Sequence, residues 1–145
     1  MNISIEKISL DEEEEITIRC HEVDDEILEL MDKLKTKAHT LIGYSGDCIY
    51  QLDRSNVYYF ESVDNKVFIY CRDMVYECKQ KLYELEQVCD PRKFFRASKS
   101  IIINIMKISH VKPSISGRFE ATMGNGEKVL VSRQYVPVLK SKLGL

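Results

Sequence analysis

Phe94-Phe95-Arg96-Ala97-Ser98-Lys99-Ser100-Ile101-Ile102-Ile103-Asn104 is the stretch whose reading decides the fold. An aromatic pair suited to burial runs into Arg96, Ser98, Lys99 and Ser100, and Ile101 to Ile103 then return to the interior. Taken alone, this is an ordinary solvated turn between two strands. A chain that leaves its core for polar, partly cationic residues can equally be presenting them to a partner. The flanking sequence decides between the two.

Charge is the first discriminator. The net charge of −2 hides a split: residues 91–145 carry 11 Lys/Arg against Glu120 and Glu127 alone, a local +9, while residues 1–90 stand at −11. Such asymmetry points to a polyanion-binding region joined to an acidic one. At 145 residues, 44% hydrophobic and 30% charged, the chain has the length and composition of a soluble globular domain with a real core. No apolar run is long enough to span a bilayer, and the acidic N-terminus is unlike a signal peptide, so a cytoplasmic protein is expected. Five cysteines (Cys20, Cys48, Cys71, Cys78, Cys89) are scattered without C-x-x-C spacing, and they read as reduced, small apolar residues.

Along the chain, Asn2 to Ser9 and Ile16 to Val23 show strand-like patterns on either side of the acidic run Asp11 to Glu15. Asp24 and Asp25 then offer a cap for an amphipathic helix with Ile27, Leu28, Met31 and Leu34 on one face, ending among Lys33, Lys35 and Lys37. Residues 1–39 are thus expected to form a small strand–strand–helix annex. From Thr40 short strands dominate: Thr40 to Tyr44, Asp47 to Leu52 around Ser45-Gly46, Val57 to Glu61, Val67 to Cys71 and Met74 to Glu77. Asp53 to Asn56 is a turn or a short capped helical turn, and Ser62 to Lys66 a polar loop. Leu82, Leu85 and Val88 mark a helix that Asp90-Pro91 stops. Beyond the opening stretch come a strand over Ile105 to Val111, a loop at Pro113 to Gly117, and a hairpin of Arg118 to Met123 with Lys128 to Val131 around Gly124-Asn125-Gly126. Ser132 is placed to cap a last helix with Tyr135, Val138, Leu139 and Leu143 inward, and Pro137 in its first turn.

Enzyme signatures are missing. There is no G-x-G-x-x-G, Walker loop, G-x-S-x-G or H-E-x-x-H, and His21, His39 and His110 are far apart in sequence. No metal site, cofactor or small-molecule substrate is expected. Helix-turn-helix and zinc-finger patterns are also lacking, so a basic C-terminal region would have to meet a polyanion through loops or strands.

From about Thr40 to Leu143 the sequence resembles the LytTR DNA-binding domain of LytR/AgrA-type bacterial transcription regulators. Four features carry the resemblance, in the family's order. They are the aromatic strand Tyr58-Tyr59-Phe60-Glu61; the short helix leading to Phe94 to Asn104, similar to the family's Phe-(Ile/Phe)-Arg-x-His-(Arg/Asn/Lys)-Ser-x-(Ile/Val)-Val-Asn; the apolar run Ile105 to Val111; and the hairpin through Gly124-Asn125-Gly126 to Val131-Ser132-Arg133-Gln134-Tyr135. Ser98 stands where the family commonly carries histidine. Residues 1–39 lie outside the resemblance and lack the length and phospho-acceptor pattern of a receiver domain.

The resemblance implies a mainly β (α+β) fold, a β-sheet DNA-binding domain with short helices over residues 40–145, whose loops enter the major groove. Carried over position by position, one loop supplies Asp64, Asn65 and Lys66, a second Ser98, Lys99 and Ser100, and a third Arg133 with Gln134. Arg133 offers a planar fork to guanine O6/N7, Lys99 suits the same acceptors or a phosphate, and Asn65 can pair with adenine. Ser98 and Ser100 suit phosphate oxygens. Glu61, Arg96 and Asn104 are expected as structural support, with Arg96 holding Glu61 or another carboxylate. Lys107, Lys112 and Arg118 are taken as peripheral charge. The expected protein is a stand-alone, homodimeric, non-enzymatic transcription regulator that binds specific double-stranded DNA at repeated half-sites. The alternative is a protein–protein interaction domain on the same scaffold that has lost DNA binding.

Overall fold

In a computed structural model, which describes residues 2–35 and 40–145, the stretch Phe94 to Asn104 folds as an antiparallel hairpin. The chain divides into two compact units, one up to residue 36 and one from residue 37 on. Lys37 and His39 lie outside the described residues, and with them the first side of the expected boundary between residues 39 and 40.

In the first unit one helix forms, α1 (Asp25–Lys35), and its cap is the expected one. The Asp24 carboxylate accepts the Ile27 N–H at 2.9 Å, while Asp25 and Glu26 place negative charge at the positive end of the helix dipole. The two strands expected over Asn2 to Ser9 and Ile16 to Val23 do not form. Ile3 and Ile5 are 90% and 93% exposed. A two-stranded ribbon is marginal in water without a third strand or an apolar face to cover. Here the acidic run would also concentrate like charges at its turn. What remains is a local turn in which Ser9 Oγ donates to Glu12 Oε1 at 3.0 Å.

The second unit follows the mainly β expectation. Its first sheet contains β1 (Thr40–Ser45), β2 (Cys48–Asp53), β3 (Tyr59–Val63), β4 (Lys66–Tyr70), β5 (Val75–Cys78), β6 (Phe94–Ser98) and β7 (Ile101–Asn104). These pair antiparallel in the order β2-β1-β5-β4-β3-β7-β6. Helix α2 (Leu82–Val88) connects β5 to β6. A second, three-stranded sheet in the order β10-β9-β8 is built from β8 (Ile108–Pro113), β9 (Phe119–Met123) and β10 (Lys128–Val131). The chain then closes with α3 (Val136–Lys142).

Period-two alternation explains the layering. Phe60 of β3, Phe94 of β6 and Ile102 of β7 enter one core with Leu82 and Leu85 of α2. Their neighbours Tyr59, Phe95 and Ile103 enter a second core with Ala121 and Met123 of β9, Val129 and Val131 of β10, and Leu139 of α3. The strands nearest the opening stretch are therefore apolar on both faces, which is why they read as continuous apolar runs rather than alternating ones.

Several boundaries differ from expectation. Ser62 to Lys66 is not a loop but a hairpin in which Val63 pairs with Lys66, leaving a two-residue turn. Asp64 and Asn65 in that turn have φ of 51° and 63°, the primed-turn geometry whose twist matches the flanking strands. The strand expected from Ile105 begins instead at Ile108. Residues Ile105–Lys107 form a 3₁₀ turn because the Asn104 side chain accepts the Met106 N–H at 3.0 Å, a local bond that competes with the ladder. At the C-terminus a 3₁₀ turn over Arg133–Tyr135 precedes α3, so Ser132 makes no side-chain cap. The change from three to 3.6 residues per turn moves the apolar face: Val136 and Leu139 are buried, whereas Val138 and Leu143 are 41% and 37% exposed.

Of the cysteines, Cys78 and Cys89 are buried and Cys71 is half-buried, but Cys20 and Cys48 are exposed. Burial raises the buried thiols' pKa, that of Cys89 to about 11. A thiol reagent at neutral pH is expected to modify Cys20 and Cys48 in the native protein and to reach Cys78 and Cys89 only on unfolding; mass spectrometry of time-resolved labelling measures this. Ile103→Ala, at a position with no exposure, should lose about 2–5 kcal/mol in denaturant titration. Leu130→Ala, 47% exposed, should cost far less.

Candidate nucleic-acid interface

The hairpin of β6 and β7 is irregular where it leaves the core. Arg96 pairs with Ile102, and Ser98 then pairs with Ile101, so Ala97 is the extra residue of a β-bulge. Beyond the bulge, Ser98 Oγ accepts the Ser100 N–H at 3.2 Å, and the two hydroxyls lie 3.4 Å apart. Both serines are half-buried, and Lys99 between them is exposed. The serine hydroxyls are thus engaged in the turn, and the lysine is what the turn presents.

Arg96 holds this turn in place. Its Nε and Nη2 donate to Glu86 Oε2 of α2 at 3.2 and 2.9 Å, while Nη1 donates to the Lys99 carbonyl at 2.7 Å. The carboxylate is that of Glu86, not Glu61. The Arg96 side chain is 18% exposed and that of Glu86 51%, so solvent screens the pair and its Coulomb energy is modest. Its geometric effect is larger, because one rigid fork links α2 to the turn carbonyl.

Two backbone bonds tie the turn to its neighbours. The Ser62 N–H of β3 donates to the Ser100 carbonyl at 2.8 Å, and the Ser132 N–H after β10 donates to the Ala97 carbonyl at 2.8 Å. On one side of the turn lies an open hollow of about 270 Å³ lined by Asn65, Lys81, Lys99 and Ser100, with Lys81 Nζ 3.5 Å from the Asn65 carbonyl. On the other is a depression of about 550 Å³ whose lining includes Ser98, Lys99, Ser100, Ser132, Arg133 and Gln134. Lys99 and Ser100 belong to both. Asp64 and Lys66 are exposed at the first turn but line neither hollow.

The remaining expected residues sit behind this face. Asn104 is buried; its Nδ2 donates to the Val57 carbonyl at 2.8 Å and its Oδ1 receives the Met106 N–H. Both ends of the amide are satisfied, which removes the penalty of burying it. Glu61 receives the Tyr70 hydroxyl at 3.4 Å, and Tyr70 stacks on Tyr59 with centroids 4.3 Å apart. Burial, reinforced for Tyr59 by Glu127 and for Tyr70 by Glu61, raises both phenol pKa values.

Among the residues taken as peripheral, Lys112 is 3.6 Å from Glu120, and Lys107 sits 5.5 Å from the centre of the Tyr58 ring. Arg118 is different: with Ser116 it lines the same depression as Arg133. The β8–β9 connection lies 15 positions before Arg133, so nothing in local spacing places the two together; only the pairing of β9 with β10 does. Among the described residues no cluster of His, Cys, Asp and Glu could hold a metal ion, and no helix is long and apolar enough to cross a membrane.

Comparison with known proteins identifies the family and the fold. Residues 47–144 match the LytTr DNA-binding domain family, and the chain belongs to it. Over 99 residues it is 31% identical to the sensory transduction protein LytT of Enterococcus faecalis, covering 68% of this chain and spanning 41% of LytT. It is 27% identical over 132 residues to an uncharacterized HTH-type transcriptional regulator of Staphylococcus aureus, covering 90% of this chain and 89% of that protein. A LytTr DNA-binding domain from Bacillus cereus superposes with a TM-score of 0.70 at 27% identity, over 73% of this chain and 97% of that one. The chain is therefore a DNA-binding transcription regulator, of a family that is not an enzyme family. The helix-turn-helix in the staphylococcal protein's description has no counterpart among the described residues, where strands separate every pair of α-helices.

Arg96→Lys keeps the charge but loses the fork. Its thermal midpoint and the hydrogen-exchange protection of the Ser100 amide should fall close to those of Arg96→Ala, showing that geometry rather than charge holds the turn.

Proposed function

We propose that this regulator binds duplex DNA sequence-specifically by laying three turns into the major groove: Asp64 to Lys66, Ser98 to Ser100, and Arg133 with Gln134. The observation that carries the reading is the pair of backbone bonds from Ser62 and Ser132 to the middle turn. They tie the middle turn to β3 and to the segment that leads to Arg133, and this supports the preorganisation that base readout needs. Arg133 is the bidentate reader of guanine, Asn65 pairs with adenine, and Lys99 reaches guanine acceptors or phosphate. Ser98 and Ser100 shape the turn that presents Lys99. Glu61, Arg96 and Asn104 are the support behind the turns.

The protein acts in the cytoplasm without catalysis, cofactor or small-molecule substrate. It binds repeated half-sites as a homodimer, since a two-fold protein reads a repeated site most economically. Residues 1–39 form an annex used for dimer contact or signal input, and residues 40–145 the reading domain. The family does not favour the alternative of an interaction domain with DNA binding lost.

Selection from a random duplex pool at moderate salt should enrich a defined site, and log affinity should fall linearly with log salt. Arg133→Ala should reduce discrimination for that site by about 1–3 kcal/mol. If no duplex is enriched, the sequence-specific reading fails; if Arg133→Ala keeps full preference, Arg133 is not a reader.

A further inference from the structure

The connection between β8 and β9 is a polar segment beside the proposed interface that the three-turn reading leaves unused. It is tightly built. The Ser114 N–H donates to the Arg118 carbonyl at 2.8 Å, and the Arg118 N–H donates back to the Ile115 carbonyl at 3.3 Å. Ser116 and Gly117 both lie in the left-handed region, with φ of 61° and 74°. Ser116, Gly117 and Arg118 are exposed, and Ser116 and Arg118 line the depression that also holds Lys99 and Arg133.

Gly117 meets Arg133 directly. A Cβ on Gly117 would stand 2.9 Å from Arg133 Cδ and 3.1 Å from Cγ, closer than carbon atoms pack. The stem of the arginine thus lies against the bare backbone of Gly117, where a side chain would displace it. A long side chain on an exposed turn otherwise loses considerable rotamer entropy when it binds, and a platform that restricts the stem beforehand removes part of that loss.

We infer that the β8–β9 connection is a fourth DNA-facing element, in which Gly117 is a positioning residue for Arg133 and Arg118 contacts a backbone phosphate. The inference rests on the three-turn reading. Division of labour follows from chemistry: a cation on phosphate adds affinity for any duplex, whereas aiming a base-reading fork adds discrimination.

The test uses the full chain, the duplex enriched by selection and an unrelated duplex of equal length, titrated across salt concentrations. Arg118→Ala should weaken both duplexes several-fold alike and lower the salt slope by about one. Gly117→Asn is the informative platform variant, because asparagine tolerates the left-handed backbone while still placing a Cβ against Arg133. It should keep the salt slope and the thermal midpoint but lose preference for the selected duplex. Combined with Arg133→Ala it should lose no more preference than Arg133→Ala alone, as expected of a residue acting through another.

If Gly117→Asn and Arg118→Ala bind like the parent protein while Arg133→Ala loses preference, the fourth element is refuted and the three turns stand. Should Arg133→Ala and Arg118→Ala both bind like the parent, the three-turn reading itself fails and takes the inference with it. A Gly117→Asn protein with a depressed thermal midpoint and a further loss on top of Arg133→Ala assigns Gly117 to fold maintenance alone, which overturns its positioning role.

Discussion

Adjacent residues of β7 are buried on opposite faces, and the rest of the structure depends on that. Ile102 lies in the core that α2 covers, Ile103 in the core shared with the three-stranded sheet and α3, and both are almost completely shielded from water. Phe94 and Phe95 repeat the arrangement on the partner strand. A strand buried on one face can slide by two residues and keep its pattern. A strand wedged between two differently shaped cores has far less freedom, so the turn at its end is delivered to one place.

From that anchored position the chain divides its polar groups by task. Arg96 and Glu86 join the turn to α2, Ser98 and Ser100 close the turn on itself, and the amides of Ser62 and Ser132 join it to its neighbours. These bonds are spent on the position and shape of the turn. The side chains of Lys99, Asn65 and Arg133 are exposed. Rigidity and presentation are therefore assigned to different residues, as a reader of fixed base spacing requires.

Much of this was legible in the sequence. Aromatic and isoleucine runs marked strands, Gly124-Asn125-Gly126 marked a hairpin, and from the positively charged stretch after residue 91 come Lys99, Arg118 and Arg133, which line one depression. Where prediction failed, the deciding interaction was non-local or a close competitor won. Ile3, Ile5, Ile16 and Ile18 have strand periodicity but no third strand to complete a sheet. At Asn104 a side-chain bond to the Met106 amide converts the start of a strand into a 3₁₀ turn. Glu86 could not be named as the partner of Arg96 because that pairing depends on how α2 lies against β6. Arg118 looked like scattered charge because only the β9–β10 pairing carries it to the side of Arg133.

The separation of anchoring from presenting has a consequence for how such a protein changes over generations. Lys99 at the tip of the turn is exposed, whereas the isoleucines and phenylalanines on either side are held in the two cores. A substitution at a presented position leaves the folding free energy nearly untouched, so it is not filtered out for instability. Target preference can then drift by single steps while the scaffold stays constant, and one fold can give rise to regulators of many different promoters.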